Sequence, residues 1–462
     1  MIFTEPRFFL LFALCFAVYW SLRANGQRKV WLVLCSAVFY GAWDVRFLAL
    51  MYVSVTLDYT FGRMLDRPTR RRRAWLIGSI AVNLGILGTF KYLGWFVESA
   101  VAFGNWLGFE MHAPTLKLVL PIGISFYTFQ SMSYTIDVYR RQLVAAKSYL
   151  DFAAFVTFFP QLVAGPIVRA VDFLPQLHTQ RAWLASEARG FVTLFCIGYF
   201  KKVCIADNVS QTVDAVFSAP VEWTALSNWI AAVLYAIQIY CDFSGYSDMA
   251  IALAGLLGYR LTTNFEFPYL AANITEFWRR WHVSLSTWFR DYLYIPLGGN
   301  RRGAGRTYWN LVVVFFLCGL WHGASWNFVV WGLLHGAFLV VHRSVSARSG
   351  GARWPLPLGV AATWIAVVTA WVFFRGEGWA ATRAMLAIQY GVAPGGSGAL
   401  SAWWLVFAAA CLAVHVAARR RVLGAAHARM NGWMYAVALG TALALLAPWI
   451  ADGYQPFIYF QF

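Results

Sequence analysis

The sequence predicts an all-α, polytopic membrane protein, and three observations carry that prediction. Hydrophobic residues fill 60% of the 462 positions and charged residues only 12%, against about 25% charge in ordinary globular domains. Mean hydropathy is +0.57. The apolar residues gather into successive stretches of the ~20 residues that a helix needs to cross a bilayer, and no polar stretch between them is long enough to fold alone.

In chain order the candidate spans are 7–22, 30–48, 49–65, 74–97, 118–136, 186–203, 226–257, 308–321, 325–342, 357–375, 401–418 and 433–450, which gives 11 to 12 transmembrane helices. The segment Phe152–Ile167 is also apolar but is interrupted by Phe159-Pro160-Gln161 and Ala164-Gly165-Pro166. Broken backbone at membrane depth survives only where protein or a watery cavity satisfies it, so this segment reads as re-entrant. The N-terminus, Met1–Arg7, lacks a basic leader and a small-residue cleavage site, so the first apolar run reads as a retained span.

Orientation follows from the basic loops. Placing Arg70–Arg73 in the cytoplasm sends 74–97 outward and 118–136 back, which returns Arg140, Arg141 and Lys147 to the inside. Arg419–Arg421 inside then puts the tail 451–462 on the outer face. The net charge of +17 is thereby spent on topology in short clusters, and nucleic-acid binding is not expected. Aromatics reach 18%, with 24 Trp, enough for interfacial belts against membrane lipids and a lined cavity besides. The seven cysteines (15, 35, 196, 204, 241, 318, 411) show neither C-x-x-C nor metal spacing and read as small buried hydrophobes. With no repeat and no soluble segment, residues 1–462 read as one membrane domain that includes the tail.

Two histidines stand out. His322 lies in Gly319-Leu320-Trp321-His322-Gly323 and His335 in Gly332-Leu333-Leu334-His335-Gly336. Each precedes the second glycine of a G-x-x-x-G pair, a spacing that lets another helix backbone approach closely. An imidazole in such sequence reads as a functional site facing a protein interior or cavity; the alternative is a packed histidine hydrogen-bonding across helices. Asn327 follows close by and is a candidate to support His322.

The stretch Glu276–Tyr292 has helical periodicity, with Trp278, Trp281, His282, Leu285, Phe289 and Tyr292 on one face and Arg279, Arg280, Arg290 and Asp291 off it. It is expected to be an amphipathic interfacial helix whose His282 sits among aromatics. Tyr240–Met249 carries Asp242, Ser244 and Asp248 inside an apolar run, Ser244 and Asp248 being four apart and so on one face. Intramembrane carboxylates mark either an internal polar site or a network tying helices together. Pro296-Leu297-Gly298-Gly299-Asn300 reads as a tight turn. There is no P-loop, no G-x-S-x-G, no H-E-x-x-H and no dinucleotide fingerprint. What survives is an imidazole general base in a buried cavity, suited to activating a hydroxyl toward an acyl group.

The run Phe277–Gly299, Trp321-His322-Gly323 and Trp331–Gly336 closely resembles the membrane-bound O-acyltransferase family, in its bacterial alginate O-acetylase branch, with D-alanyl transfer to teichoic acid more distant. Gln130–Tyr134, Phe158–Pro166 and Asp242–Asp248 extend the likeness over essentially the whole chain. The resemblance implies a helical ring around a central tunnel, with an acyl thioester, acetyl-CoA, entering from the cytoplasm and no metal. It implies His322 as the family's near-invariant histidine and His282 as this branch's second histidine. Asp242, Ser244, Asp248, Asn327, His335 and Trp321 are candidate substrate-binding residues. The tail Gln455–Phe462 resembles a terminal F-I-Y-F motif whose tyrosine, here Tyr459, is implicated as a covalent acyl carrier; the alternative is an aromatic anchor at the interface.

The reading is a bacterial inner-membrane O-acetyltransferase acting on an exported polysaccharide such as alginate, with a periplasmic esterase-like (SGNH-type) acetyltransferase partner for the final transfer. One rival acylates another hydroxyl acceptor directly (peptidoglycan, teichoic acid, a lipid or a sterol), and a need for long-chain donors would favour the lipid or sterol case. Another is a transporter relaying protons through its histidines, marked by flux independent of any thioester. A structural scaffold would tolerate His322→Ala.

Overall fold

A computed structural model describes residues 1–112, 118–163, 165–348, 354–420, 430–451 and 457–458. The described chain is helical, with the single bridge Trp223–Gly398 as its β pairing. It divides into two compact units, Met1–Phe195 with Met249–Thr262, and Cys196–Asp248 with Thr263–Phe462.

The first unit contains α1 (Pro6–Ser21), α2 (Asn25–Gly41), α3 (Val45–Asp66), α4 (Arg72–Trp106), α5 (Ile124–Tyr139), α6 (Tyr149–Thr157), α7 (Phe159–Leu162), α8 (Ala170–His178) and the start of α9 (Ala185–Tyr199). The expected boundary between spans at 48/49 is corrected: α2 ends at Gly41 and α3 begins at Val45. The reason is Asp44, whose Oδ1 accepts the Arg46 N–H at 2.8 Å and caps the new helix. Arg72, from the basic cluster, donates to the carbonyls of Leu65 and Tyr139, both at 2.8 Å, closing the C-terminal ends of α3 and α5. Helices α3, α4 and α5 are tied by a buried polar knot in which Asp58 accepts from Ser79 (3.0 Å) and Asn83 (2.8 Å), and Ser79 reaches Thr135 (3.0 Å). Every described residue of 152–167 is buried. The Phe159-Pro160 step starts a separate short helix there, so this broken backbone is shielded by protein, as expected of it.

The second unit holds the rest of α9, a π-helical turn (Phe200–Ala206), α10 (Asp207–Ser218), most of α11 (Ala225–Leu256), α12 (Ile274–Arg280), α13 (Val283–Phe289), a second π-helical turn (Arg290–Tyr294), α14 (Gly303–His322), α15 (Trp326–Arg348), α16 (Leu356–Arg375), α17 (Trp379–Gln389), α18 (Trp403–Arg419) and α19 (Gly432–Leu446). Helices fall at each of the twelve expected spans, and among the described residues five are long and apolar enough to cross a membrane by length and composition. The stretch Gly432–Trp449 has mean hydropathy 1.3 and none of it is buried, an arrangement that suits lipid and not water.

The glycine pairs act between neighbours in sequence. A Cβ on Gly319 would overlap the Phe328 carbonyl, and one on Gly332 would overlap the Phe315 carbonyl, so α14 and α15 form a close antiparallel hairpin that only glycine permits. The expectation of one amphipathic helix over Glu276–Tyr292 is corrected. α12 stops at Arg280, Trp281 is extended, and His282 takes a left-handed conformation (φ 44°) before α13 starts. The periodicity missed the break because the apolar spacing continues through it, and the residues it assigned to one face are all buried.

Candidate functional site

All three histidines of interest lie in the second unit, joined by a continuous set of rings. His322, the last residue of α14, stands edge-on to Trp321 (4.9 Å between centroids), Trp331 (4.9 Å) and Phe374 (5.0 Å). Trp321 continues to His282 at 6.1 Å, and His282 meets Phe243 of α11 at 4.6 Å. On the other side Trp331 meets His335 at 4.8 Å. The short loop Gly323–Ser325 is what places His322 at a helix end, level with the start of α15.

The surroundings of the histidines differ. His335 accepts a hydrogen bond at Nδ1 from Trp278 Nε1 (3.2 Å), is fully buried, and packs against Phe277 and Phe338. His282 faces the irregular strand of chain before α12: its Nδ1 lies 3.1 Å from Asn264 Oδ1, and Glu266 and Asn264 pair through their backbone with Arg280 and Val283. That pairing holds the left-handed turn at His282 in place.

Asn327, at the start of α15, turns its amide nitrogen away from His322. Its Nδ2 donates to the Gly376 carbonyl (3.0 Å) and the Thr382 hydroxyl (2.9 Å), so it anchors the bend between α16 and α17.

The acids of α11 are held by two lysines that sequence reasoning passed over. Lys201 Nζ lies 2.6 Å from Asp248 and 3.3 Å from Ser244, the face sharing expected of those two. Lys202 Nζ lies 2.8 Å from Asp242 and 2.7 Å from Asp207. The π-helical turn sends these consecutive lysines to opposite sides of α11, whose Gly245 permits the approach: a Cβ there would lie 2.6 Å from the Gly198 carbonyl. The signal was present as two lysines at the end of an apolar span, since charges at membrane depth come in opposite pairs.

The tail reaches the same place. Phe457 and Ile458 are buried. The Ile458 N–H donates to Asp242 Oδ2 at 2.7 Å, and the Phe457 ring meets Tyr246 at 4.8 Å and Phe243 at 5.8 Å. Phe243 therefore touches both the tail and His282. Upstream, Asn208 Nδ2 donates to the Trp449 carbonyl (2.8 Å) and the Ala451 N–H to the Val203 carbonyl (3.4 Å), so the chain entering the tail runs along the π-helical turn. Of the tail's apolar residues, the two that are described, Phe457 and Ile458, are inserted as expected; Tyr459 lies outside the described residues.

A sequence model of the MBOAT, membrane-bound O-acyltransferase, family matches residues 43–374. The chain is 43% identical over 381 residues to a probable alginate O-acetylase of Pseudomonas putida, covering 82% of this chain and 78% of that one. It is 37% identical over 413 residues to a peptidoglycan O-acetyltransferase of Helicobacter pylori, covering 82% and 77%. A teichoic acid D-alanyltransferase of Bacillus subtilis is 27% identical over 278 residues, covering 57% and 69%.

Proposed function

The chain belongs to the membrane-bound O-acyltransferase family and is a multi-pass membrane O-acyltransferase, and from that premise we propose that it moves acetyl from cytoplasmic acetyl-CoA to an exported polysaccharide. The observation that carries the proposal is the meeting of the C-terminal tail with the histidine cluster: Phe243 packs on Phe457 and on His282, and Trp321 links His282 to His322.

In this reading the tail is the acyl carrier. His322 takes the phenolic proton of Tyr459 as the oxygen attacks the thioester carbonyl, because a phenol of pKa about 10 needs a base at neutral pH. The C–S bond breaks, the CoA thiolate leaves and receives that proton, and the acetyl group rests on Tyr459 as an ester. A nucleophilic hydroxyl of a periplasmic SGNH-type partner then attacks that ester, its proton returning to the phenolate, and a polysaccharide hydroxyl takes the acetyl from the partner in the final transfer, its proton restoring the partner's hydroxyl. His282 supplies a second imidazole, and Trp321 and His335 wall the acyl site. Asp242 holds the tail, while Asp248 neutralises Lys201 and Ser244 accepts a hydrogen bond from it. The working unit is the whole chain, 1–462, around a tunnel open to donor on the cytoplasmic side of the bacterial inner membrane, with 451–462 on the outer side.

Alginate is the acceptor favoured by the probable alginate O-acetylase relatives; the peptidoglycan O-acetyltransferase makes peptidoglycan the second candidate. Proteoliposomes given labelled acetyl-CoA, the SGNH-type partner and either polymer distinguish the two. Acetylation that depends on His322 and on acetyl-CoA supports the proposal, and transfer that persists in His322→Ala overturns it.

A further inference from the structure

We infer that Asn264 is a positioning residue that fixes His282 as its Nδ1–H tautomer, so that Nε2 is the nitrogen that carries the lone pair. The reactivity of Nε2 rests on the proposed role of His282 as a second imidazole of the site; the tautomer does not.

Asn264 Oδ1 receives the backbone N–H of Ser284 at 3.2 Å, and the Ser284 hydroxyl donates to it at 3.0 Å. A backbone N–H can only donate, so the atom facing Ser284 is the amide oxygen. On the other side, Asn264 Nδ2 donates to the Ser247 hydroxyl of α11 at 3.3 Å. Turning the amide over would set its NH2 against the Ser284 N–H, donor against donor. The amide thus has one orientation.

The same oxygen lies 3.1 Å from His282 Nδ1. The Ser284 hydroxyl also lies 3.5 Å from Nδ1, but its shorter contact is the 3.0 Å one to Asn264 Oδ1; a carbonyl oxygen accepts and does not donate, so Nδ1 is the donor to it. In a neutral imidazole the other nitrogen then holds the lone pair. His335 shows the opposite assignment by the same logic: the Trp278 N–H donates to its Nδ1, which places its hydrogen on Nε2. Two buried histidines of one ring cluster are therefore set as opposite tautomers, and of the two only His282 keeps Nε2 as an acceptor.

The local fold explains why one side chain does this. Asn264 also accepts the Val283 N–H through its backbone carbonyl at 3.0 Å. Its side chain caps the first turn of α13, a role that His282, in its left-handed conformation, does not fill for itself. The helix cap and the imidazole orientation thus share one oxygen, which couples the His282 turn to α11 through Ser247.

The test uses the full-length protein in nanodiscs with ring-15N histidine, His282 being identified by its loss in His282→Gln. The expected signal is a protonated Nδ1 and an unprotonated Nε2 in the parent protein, retained in Asn264→Asp and lost to mixed or Nε2–H tautomers in Asn264→Leu. An Nε2–H or mixed signal in the parent protein overturns the inference. With labelled acetyl-CoA as donor, Asn264→Leu should lower kcat about 10–100-fold, by analogy with the partners that orient metal-bound imidazoles, with KM unchanged and with partial recovery in Asn264→Asp. If Asn264→Leu does not fold, Asn264→Ser serves, its hydroxyl being too short to reach His282 while still filling the turn. The expected tautomer with an unchanged kcat in the substituted protein would overturn the positioning role and place the failure in the proposed role of His282, not in the geometry of Asn264.

Discussion

The Ile458 N–H donates to Asp242 Oδ2 at 2.7 Å while the other oxygen of that carboxylate lies 2.8 Å from Lys202 Nζ. One buried acid therefore serves both as the counter-ion of a lysine in the π-helical turn and as the clasp of the tail, one residue before Tyr459. Ile458→Pro removes the donor, along with the isoleucine side chain and the free φ of that residue, and leaves Asp242 and Lys202 unaltered. A hydrogen bond to a charged group contributes about 1.5–3 kcal/mol, so this variant should loosen the tail while leaving the Lys202 pair intact. Digestion with carboxypeptidase should proceed further into the tail than in the parent protein, and acetyl transfer should fall with it. Equal protection in both proteins would show that the clasp does not hold the tail.

The two lysines should respond unequally to substitution. The Lys202 side chain is 2% exposed between Asp207 and Asp242, whereas Lys201 and Asp248 are 21% and 22% exposed. Lys202→Met leaves two buried carboxylates without their cation and should cost about 3–5 kcal/mol. Lys201→Met should cost on the order of 1 kcal/mol, as more accessible pairs do. Denaturation in detergent measures both, and adding Asp207→Asn and Asp242→Asn to Lys202→Met should restore much of the loss. Similar losses for the two lysine variants would contradict the arrangement.

Gly319→Val sets a side chain against the Phe328 carbonyl where α14 meets α15. Overpacking costs about 1–3 kcal/mol even where side chains can adjust, and backbone adjusts less. The variant should melt lower and lose acetyl transfer, because His322 lies three residues on at the end of the same helix. Gly305→Ala, in open space near the start of α14, should do neither.

Asn327→Ala should act on stability alone. It removes two hydrogen bonds to Gly376 and Thr382, a loss of about 1–3 kcal/mol in total. Acetyl transfer by the folded fraction, measured per folded molecule, should be unchanged. A fall in turnover per folded molecule would return Asn327 to the reacting groups.

The sequence made the helices legible because membrane depth imposes length and apolarity together. It made His322 legible because an imidazole in an apolar run is costly unless a protein interior receives it, and the spaced glycines supply that interior. It hid the break at Trp281-His282, where apolar spacing runs through without proline or glycine to interrupt it. It hid the start of α3 as well, since Asp44 and Arg46 interrupt the apolar run only briefly and hydropathy alone does not mark Asp44 as a cap. Asn264 lies in Thr262–Pro268, which has no periodicity to assign it a face. Lys201 and Lys202 were visible as charges, but their pairing depends on a π-helical turn that spacing rules for ordinary helices do not generate. The pairings of Lys201 with Asp248 and of Lys202 with Asp242 join segments far apart in the chain, and local spacing carries no information about such contacts.

The most direct measurement is mass mapping of the C-terminal peptide after the purified protein meets labelled acetyl-CoA, beside His322→Ala. Label is expected on Tyr459 in the parent protein and not in the variant, with both binding donor. Label that persists without His322, or its absence from Tyr459 in parent protein that binds donor and acetylates polymer, would contradict the carrier mechanism.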